Sequence, residues 1–243
     1  MLIWVVLMPV TLYYFSPYLP FMGLMEGVLA GSVFVFASQF FISIFFGRLF
    51  CGWLCPAGAV QSFSFIANPE KVNRNRLQWV KFALWLPWMA AWISLALSAA
   101  GLKESPLEPD FFYQLEYGIS ISNSGAYIIY LSVLTLILAL SLMLGRNGFC
   151  HTSCWMSPFM IIGQKLGILF RLPGLYMRSS VNNCTSCGSC SDVCPMSLDM
   201  AFLAVKKNCD NEARIAHHDC IYCMRCADAC PHSVLELGVG KRS

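Results

Sequence analysis

The chain has 243 residues, 57% of them hydrophobic and 12% charged, with a formal net charge of +3. A mean hydropathy of +0.61 lies well above that of a soluble globular domain and points to a membrane protein. The net charge says little about partners, because the basic residues are better explained by topology. No nucleic-acid partner is expected, and no phosphate-binding glycine loop, dinucleotide fingerprint or nucleophilic triad is present in the sequence.

Charge is unevenly spread. Residues 179–243 hold 13 of the 29 Lys, Arg, Asp and Glu side chains, which divides the chain into a membrane domain (1–178) and a soluble cassette (179–243). The start, MLIWVVLMPV, has no basic n-region and its apolar character runs on, so no cleavable signal peptide is expected. Prolines at Pro17 and Pro20 are poorly tolerated inside a helix. They predict a short helix over about 2–16, a turn, and a longer helix over about 20–46. Uncharged runs at 82–101 and 117–145 are each long enough to cross a bilayer, making four expected spans.

Loop charge orients them. Arg48, Lys71, Arg74, Arg76 and Lys81 oppose only Glu70, and Arg146, Lys165, Arg171 and Arg178 follow the last span. The loop between the third and fourth spans carries Glu104, Glu108, Asp110 and Glu116 against Lys103. By the positive-inside rule the basic loops, both termini and the cassette are cytoplasmic. The expected location is a bacterial-type cytoplasmic (inner) membrane, crossed several times. Two further apolar stretches, 49–69 and 147–164, contain Pro56 and Pro158 and read as half-helices packed inside the bundle, where irregular backbone is tolerated.

These stretches disclose a repeat. Gly47-Arg48-Leu49-Phe50-Cys51-Gly52-Trp53-Leu54-Cys55-Pro56 matches Gly145-Arg146-Asn147-Gly148-Phe149-Cys150-His151-Thr152-Ser153-Cys154 with one inserted residue. The fold class that follows is a polytopic α-helical membrane protein, with four helices as two parallel repeats (about 1–70 and 76–170) about an axis along the membrane normal. A half-helix follows each repeat, and the cassette is an α+β domain of bacterial-ferredoxin type. Cys51 and Cys55 are four apart, as are Cys150 and Cys154, a spacing that stacks two thiols on one helix face. Pro56 suits a first helical turn and puts Cys55 at a helix N-terminus; Ser157 and Pro158 suggest a cap and first turn in the second copy. If both pairs meet, four thiolates suit an intramembrane iron–sulfur centre or a soft metal ion. A redox-active thiol pair and plain core cysteines are the alternatives.

The cassette carries two runs, CTSCGSCSDVCP from Cys184 and CIYCMRCADACP from Cys220. Each is C-x2-C-x2-C-x3-C-P, in which three thiolates hold one cubane and the fourth serves the other. The spacing assigns Cys184, Cys187, Cys190 and Cys230 to one [4Fe–4S] cluster, and Cys220, Cys223, Cys226 and Cys194 to the second. Zinc ligands come as separated pairs and fit less well. Such clusters place the thirteen cysteines in a reducing compartment and not in a disulfide scaffold.

Together these residues resemble the NapH/NosR/CcoG-type membrane ferredoxins: four spans, paired C-x3-C motifs (CGWLCP at 51–56, CHTSC at 150–154) and a C-terminal two-cluster ferredoxin. The resemblance covers nearly the whole chain, although Cys154 lacks the proline that follows Cys55. It implies electron transfer into or across the membrane, linked to quinone chemistry or to the maturation or reduction of a metal centre. The expected function is a non-catalytic electron-transfer subunit of an oxidoreductase complex. Its partners would be redox subunits or a soluble ferredoxin on the cytoplasmic side, and a quinone, flavin or external acceptor beyond. A copper- or metal-handling reductase and a bare anchor for the cassette are the alternatives.

Smaller signals have ordinary readings. Glu26 lies close enough to a helix end to reach the interface, and His151 is a candidate metal or proton ligand. Met156 is a candidate copper ligand or a core residue. Trp85, Trp88 and Trp92 are packing residues at helical spacing, Cys209 is a bystander, and His217 and His218 are loop histidines.

Overall fold

The computed structural model describes residues 13–102, 108–114, 124–180, 183–205 and 212–242. Helix α1 (Leu19–Glu26) starts with proline in its first turn and ends at Gly27, whose φ of 82° lets its N–H turn back onto the Gly23 and Leu24 carbonyls, a left-handed cap. Strand β1 (Val28–Ala30) follows, and α2 (Gly31–Phe46) resumes the apolar run.

The helix expected over 20–46 is therefore broken. Gly27 stops it, and β1 leaves the helical path to pair in parallel with β2 (Glu108–Asp110). Glu26 sits exposed at this break. The first expected helix, over 2–16, falls largely outside the described residues, as do most of the acidic loop and Cys209. Between them lie α3 (Leu49–Trp53), α4 (Pro56–Ala67) and α5 (Arg74–Leu102); α6 (Ser124–Leu144), α7 (Gly148–Thr152) and α8 (Met156–Leu169) follow β2. Among the described residues two helices, where four spans are expected over the whole chain, have the length and composition to cross a membrane: Leu77–Ser98 within α5 and Tyr127–Leu144 within α6. At 16 residues α2 falls short of the ~20 needed. The two long helices turn large apolar side chains outward, among them Leu86, Leu97, Ile128 and Met143.

The two copies of the repeat fold alike. A long helix (α2 or α6) ends in a Gly-Arg pair; a five-residue helix (α3 or α7) and a longer one (α4 or α8) follow. Both glycines have positive φ, 57° at Gly47 and 98° at Gly145, a conformation that disfavours any side chain. The inserted Asn147 takes up its extra length in a left-handed turn, φ 49°. Packing is exchanged between copies: α8 lies against α2, and α4 against α6.

The C-terminal unit is a three-stranded antiparallel sheet in the order β4-β3-β5. Its central strand β3 (Pro173–Ser180) begins within residues that the charge distribution places in the membrane domain. Strands β4 (Glu212–Ile215) and β5 (Leu235–Lys241) flank it, with short helices α9 (Ser189–Asp192), α10 (Met200–Val205) and α11 (Arg225–Asp228). Met177, Met196, Leu198, Met200, Ile215 and Leu235 form its core, and Cys150, Leu49 and Cys51 join the same apolar cluster. The cassette is thus packed onto the repeat motifs and not suspended from a linker.

Candidate iron–sulfur and metal centres

The two cysteine runs of the cassette share one backbone path. Ser186 (φ 54°), Gly188 (84°) and Ser197 (51°) have their counterparts in Tyr222 (51°), Met224 (63°) and Ser233 (49°), at matching places of the second run. Left-handed residues interleaved with right-handed ones turn successive N–H groups to one side and make a concavity for an anion. Holding non-glycine residues there costs energy that the surrounding structure must offset. A thiolate-ligated cubane is such an anion, so the loops and the donor set fit a [4Fe–4S] cluster in each.

Cys184, Cys187 and Cys190 line one crevice with Cys230 from the second run. Cys220 lies within electrostatic reach of Cys194, Cys223 and Cys226. Burial, with Cys223, Cys194 and Cys190 adding to it, pushes the Cys226 thiol up to about 12. A metal that takes the thiolate removes that penalty. The sets differ in exposure: Cys187 is exposed, whereas Cys194, Cys220 and Cys226 are buried.

The first C-x3-C motif packs on the loop of the second set. Trp53 donates its indole N–H to the Tyr222 carbonyl at 2.9 Å. Gly52 meets the loop so closely that a Cβ there would stand 2.3 Å from Ile221 O and 3.3 Å from Cys223 Cα. Only glycine permits this approach.

The structure brings the four membrane-domain cysteines into one group. Cys51 lies on α3, Cys150 on α7, and Cys55 and Cys154 precede α4 and α8. Cys55 is within electrostatic reach of Cys51 and Cys154, and Cys150 contacts Cys154 and reaches Cys55 and Cys51. The backbone N–H groups of Ala57 and Gly58 lie toward Cys55, and those of Met156 and Ser157 toward Cys154, so each sulfur faces a helix N-terminus. The second helix starts at Met156 with Trp155 at its N-cap and not at a Ser157 cap; Ser157 is buried in the first turn. Each copy also reaches into the other. Gln61, six residues beyond Cys55, donates to Cys150 Sγ at 3.1 Å; Met160, six beyond Cys154, puts its Sδ 3.3 Å from Cys51 Sγ. Neither stood out in the sequence, although superposing the two repeats would have paired them. His151 is fully buried on α7, and Met156 is buried at the start of α8.

A buried ion network ties the cassette to this group. Asp219, next to Cys220, meets Arg48 at 3.4 Å and Lys81 at 3.3 Å, and Gln78 also donates to it. Burial alone would raise the Asp219 carboxyl, but Arg48, Lys81, His218 and His217 together hold it well below the ordinary carboxylate range. The histidines expected as loop residues thus belong to this network. The second Gly-Arg pair docks in parallel: Arg146 donates to the Asp192 carbonyl, inside the first cysteine run, and Lys71 pairs with the Asp192 carboxylate at 2.9 Å.

Two family models match the chain. The family described as "4Fe-4S binding domain" matches residues 28–71 and 126–173, the two repeat copies, and that described as "4Fe-4S dicluster domain" matches 183–235. The chain therefore carries ferredoxin-type 4Fe–4S domains, the equipment of an electron-transfer protein. It is similar to the methylamine utilization ferredoxin-type proteins MauN of Methylobacillus flagellatus (26% identical over 79% of this chain and 64% of that protein) and Methylorubrum extorquens (24%, 74% and 59%). It is also similar to the putative electron transport protein YccM of Escherichia coli K12 (23%, 71% and 48%). The chain spans less than two thirds of each of these three relatives. No solved structure matches it.

Proposed function

We propose that the protein is a membrane-embedded electron-transfer subunit of NapH/NosR/CcoG-type character. Electrons pass between a soluble partner, two [4Fe–4S] clusters of the cassette, and an iron–sulfur centre held by Cys51, Cys55, Cys150 and Cys154. The observation that carries this reading is the close approach of Gly52, beside Cys51, to Cys223 and the Ile221 carbonyl: the membrane-domain cysteines and the buried cluster ligands occupy one packed unit. The exposure gradient gives direction to the geometry. The Cys184, Cys187, Cys190 and Cys230 set faces a soluble donor or acceptor, and the Cys220, Cys223, Cys226 and Cys194 set faces inward. The apolar outer faces of α5 and α6 support lipid as their solvent, with the cassette on the cytoplasmic side.

A membrane-side acceptor has a candidate place. A cavity of about 370 Å³ between α2, α5 and α8 is lined by Phe36, Phe40, Trp85, Trp88, Trp92 and Phe159 among others. The indole N–H groups of Trp85 and Trp92 have no hydrogen-bond partner. Phe159 adjoins Met160, the residue in contact with Cys51, so a quinone in this cavity would sit one residue from the cysteine group.

The contact of the Met160 thioether with Cys51 favours a second reading, a soft-metal centre that binds and reduces copper. Against a single ion stands the spacing. A tetrahedral thiolate site with metal–sulfur bonds of about 2.3 Å needs sulfurs about 3.8 Å apart. Among the described residues the only set of three or more metal-type ligand atoms within 4.8 Å of one another is His217, His218 and Asp219.

Metal analysis with EPR on purified protein tests both. An iron content above the roughly eight of two clusters, lost in Cys51→Ser and Cys150→Ser, is expected. Stoichiometric copper with only that amount of iron would favour metal handling. Iron at that level with no copper would reduce the membrane domain to an anchor.

A further inference from the structure

Arg48 and Lys81 are two cations sharing one carboxylate, Asp219, and their side chains are 0–1% exposed. Asp219 is spent on this pair and on Gln78, while His217 and His218 add no negative charge. One positive charge is left over in a space closed to water, a costly arrangement unless an anion lies near. The guanidinium shows where that anion belongs. Its Nη1 faces Asp219, whereas Nε and Nη2 are buried without a well-aligned hydrogen bond, and the guanidinium approaches the Cys51 side chain. The group lies within electrostatic reach of Cys51, Cys150 and Cys154, and Lys81 reaches Cys154. Neutral thiols cannot balance this charge. Four thiolates around an iron–sulfur core, negative in both redox states, can.

We infer that Arg48, with Lys81, is the fixed counter-charge of an anionic centre at Cys51, Cys55, Cys150 and Cys154, and that through Asp219 the same charge couples the potential of that centre to the docked cassette. This rests on the iron–sulfur reading above. Arg48 acts as a positioning residue: it ligates nothing and sets the relative stability of the more and less negative redox states. Reduction adds one negative charge, so an adjacent cation favours the reduced form and an adjacent anion disfavours it. The network also explains why the first copy of the Gly-Arg pair is wholly buried while Arg146 of the second spends its donors on the Pro69 and Asp192 carbonyls.

The test uses the full chain in detergent, with iron content measured beside EPR-monitored redox titration, in Arg48→Met, Arg48→Lys and Asp219→Asn. Arg48→Met should lower the midpoint of the membrane-domain centre, and Asp219→Asn should raise it. Each shift should correspond to a tenfold or greater change in the reduction equilibrium, about 59 mV for one electron. Arg48→Lys, which keeps the charge, should stay near wild type. A purely structural role predicts no such opposition in sign. If Arg48→Met fails to assemble, the upward shift in Asp219→Asn and the near-native midpoint of Arg48→Lys decide the matter. Midpoints that stay put, or move the same way in Arg48→Met and Asp219→Asn while iron exceeds the roughly eight of two clusters, overturn the counter-charge role alone. Wild-type iron at that level overturns the iron–sulfur reading and this role together.

Discussion

Gln61 in the first repeat donates its side-chain N–H to the sulfur of Cys150 in the second, at 3.1 Å. Its carbonyl oxygen accepts from Ser141 Oγ at 3.0 Å and from the Cys150 N–H at 3.4 Å. A single buried amide of the first repeat copy therefore clamps the second cysteine pair. Gln61→Leu should cost about 1–3 kcal/mol, because Ser141 and the Cys150 N–H lose their acceptor inside the protein. Loss of a hydrogen bond to the Cys150 sulfur should also lower the midpoint of the iron–sulfur centre proposed there. Thermal unfolding and redox titration of the same preparation check the two effects; a midpoint that rises would place Gln61 in a packing role only.

Gly52 sets how closely the cassette can dock. In Gly52→Val the new side chain has no room against the Ile221 carbonyl, so the α3 motif and the cysteine loop must separate, at about 1–3 kcal/mol. The cassette should become easier to cleave from the membrane domain by limited proteolysis. Electron transfer from a reduced soluble donor to the proposed centre at Cys51, Cys55, Cys150 and Cys154 should slow even where both cassette clusters are present. Unchanged proteolysis and transfer rates would show that this contact does not set the docking distance.

The two ionic ties between the units should differ sharply in strength. The Lys71–Asp192 pair is half-exposed, at 49% and 70%, and Lys71→Ala should change stability by less than about 1 kcal/mol. Asp219→Ala leaves Arg48 and Lys81 buried against one another and should cost about 3–5 kcal/mol. Paired thermal denaturation curves at the same salt concentration measure the difference. The Lys71 effect should shrink further at high salt, and the Asp219 effect should persist.

Iron removal should unfold the cassette selectively. Its helices α9 and α11 have four residues each, too short to stand alone, and cysteine side chains fill much of its core. Chelation should therefore melt the cassette around β4 and β5, because the metal contributes folding energy directly. Helices α5 and α6, whose backbone bonds are internal, should persist. Circular dichroism should retain most helical signal while proteolysis removes the cassette; a cassette that resists the protease after chelation would contradict this.

What the sequence determined by itself was chemistry carried by local spacing. Two C-x2-C-x2-C-x3-C-P runs specify crossed cluster ligation, and the Gly-Arg-to-cysteine stretch at 47–55 repeats at 145–154, because ligand geometry and backbone turns are short-range requirements. Hydropathy gave less. It suggested an unbroken helix over 20–46, but whether Gly27 ends a helix or lies within one depends on the strand pairing of Val28–Ala30 with Glu108–Asp110, a long-range event. Loop charge was read as membrane topology, yet Arg48, Lys71, Lys81 and Arg146 are all bound to the cassette. Asp219, Gln61 and Met160 carry no local signal at all. Their roles follow from helix exchange between the repeats and from the docking of the cassette onto them, and only the tertiary structure places an acid beside Cys220 against an arginine more than half the chain away.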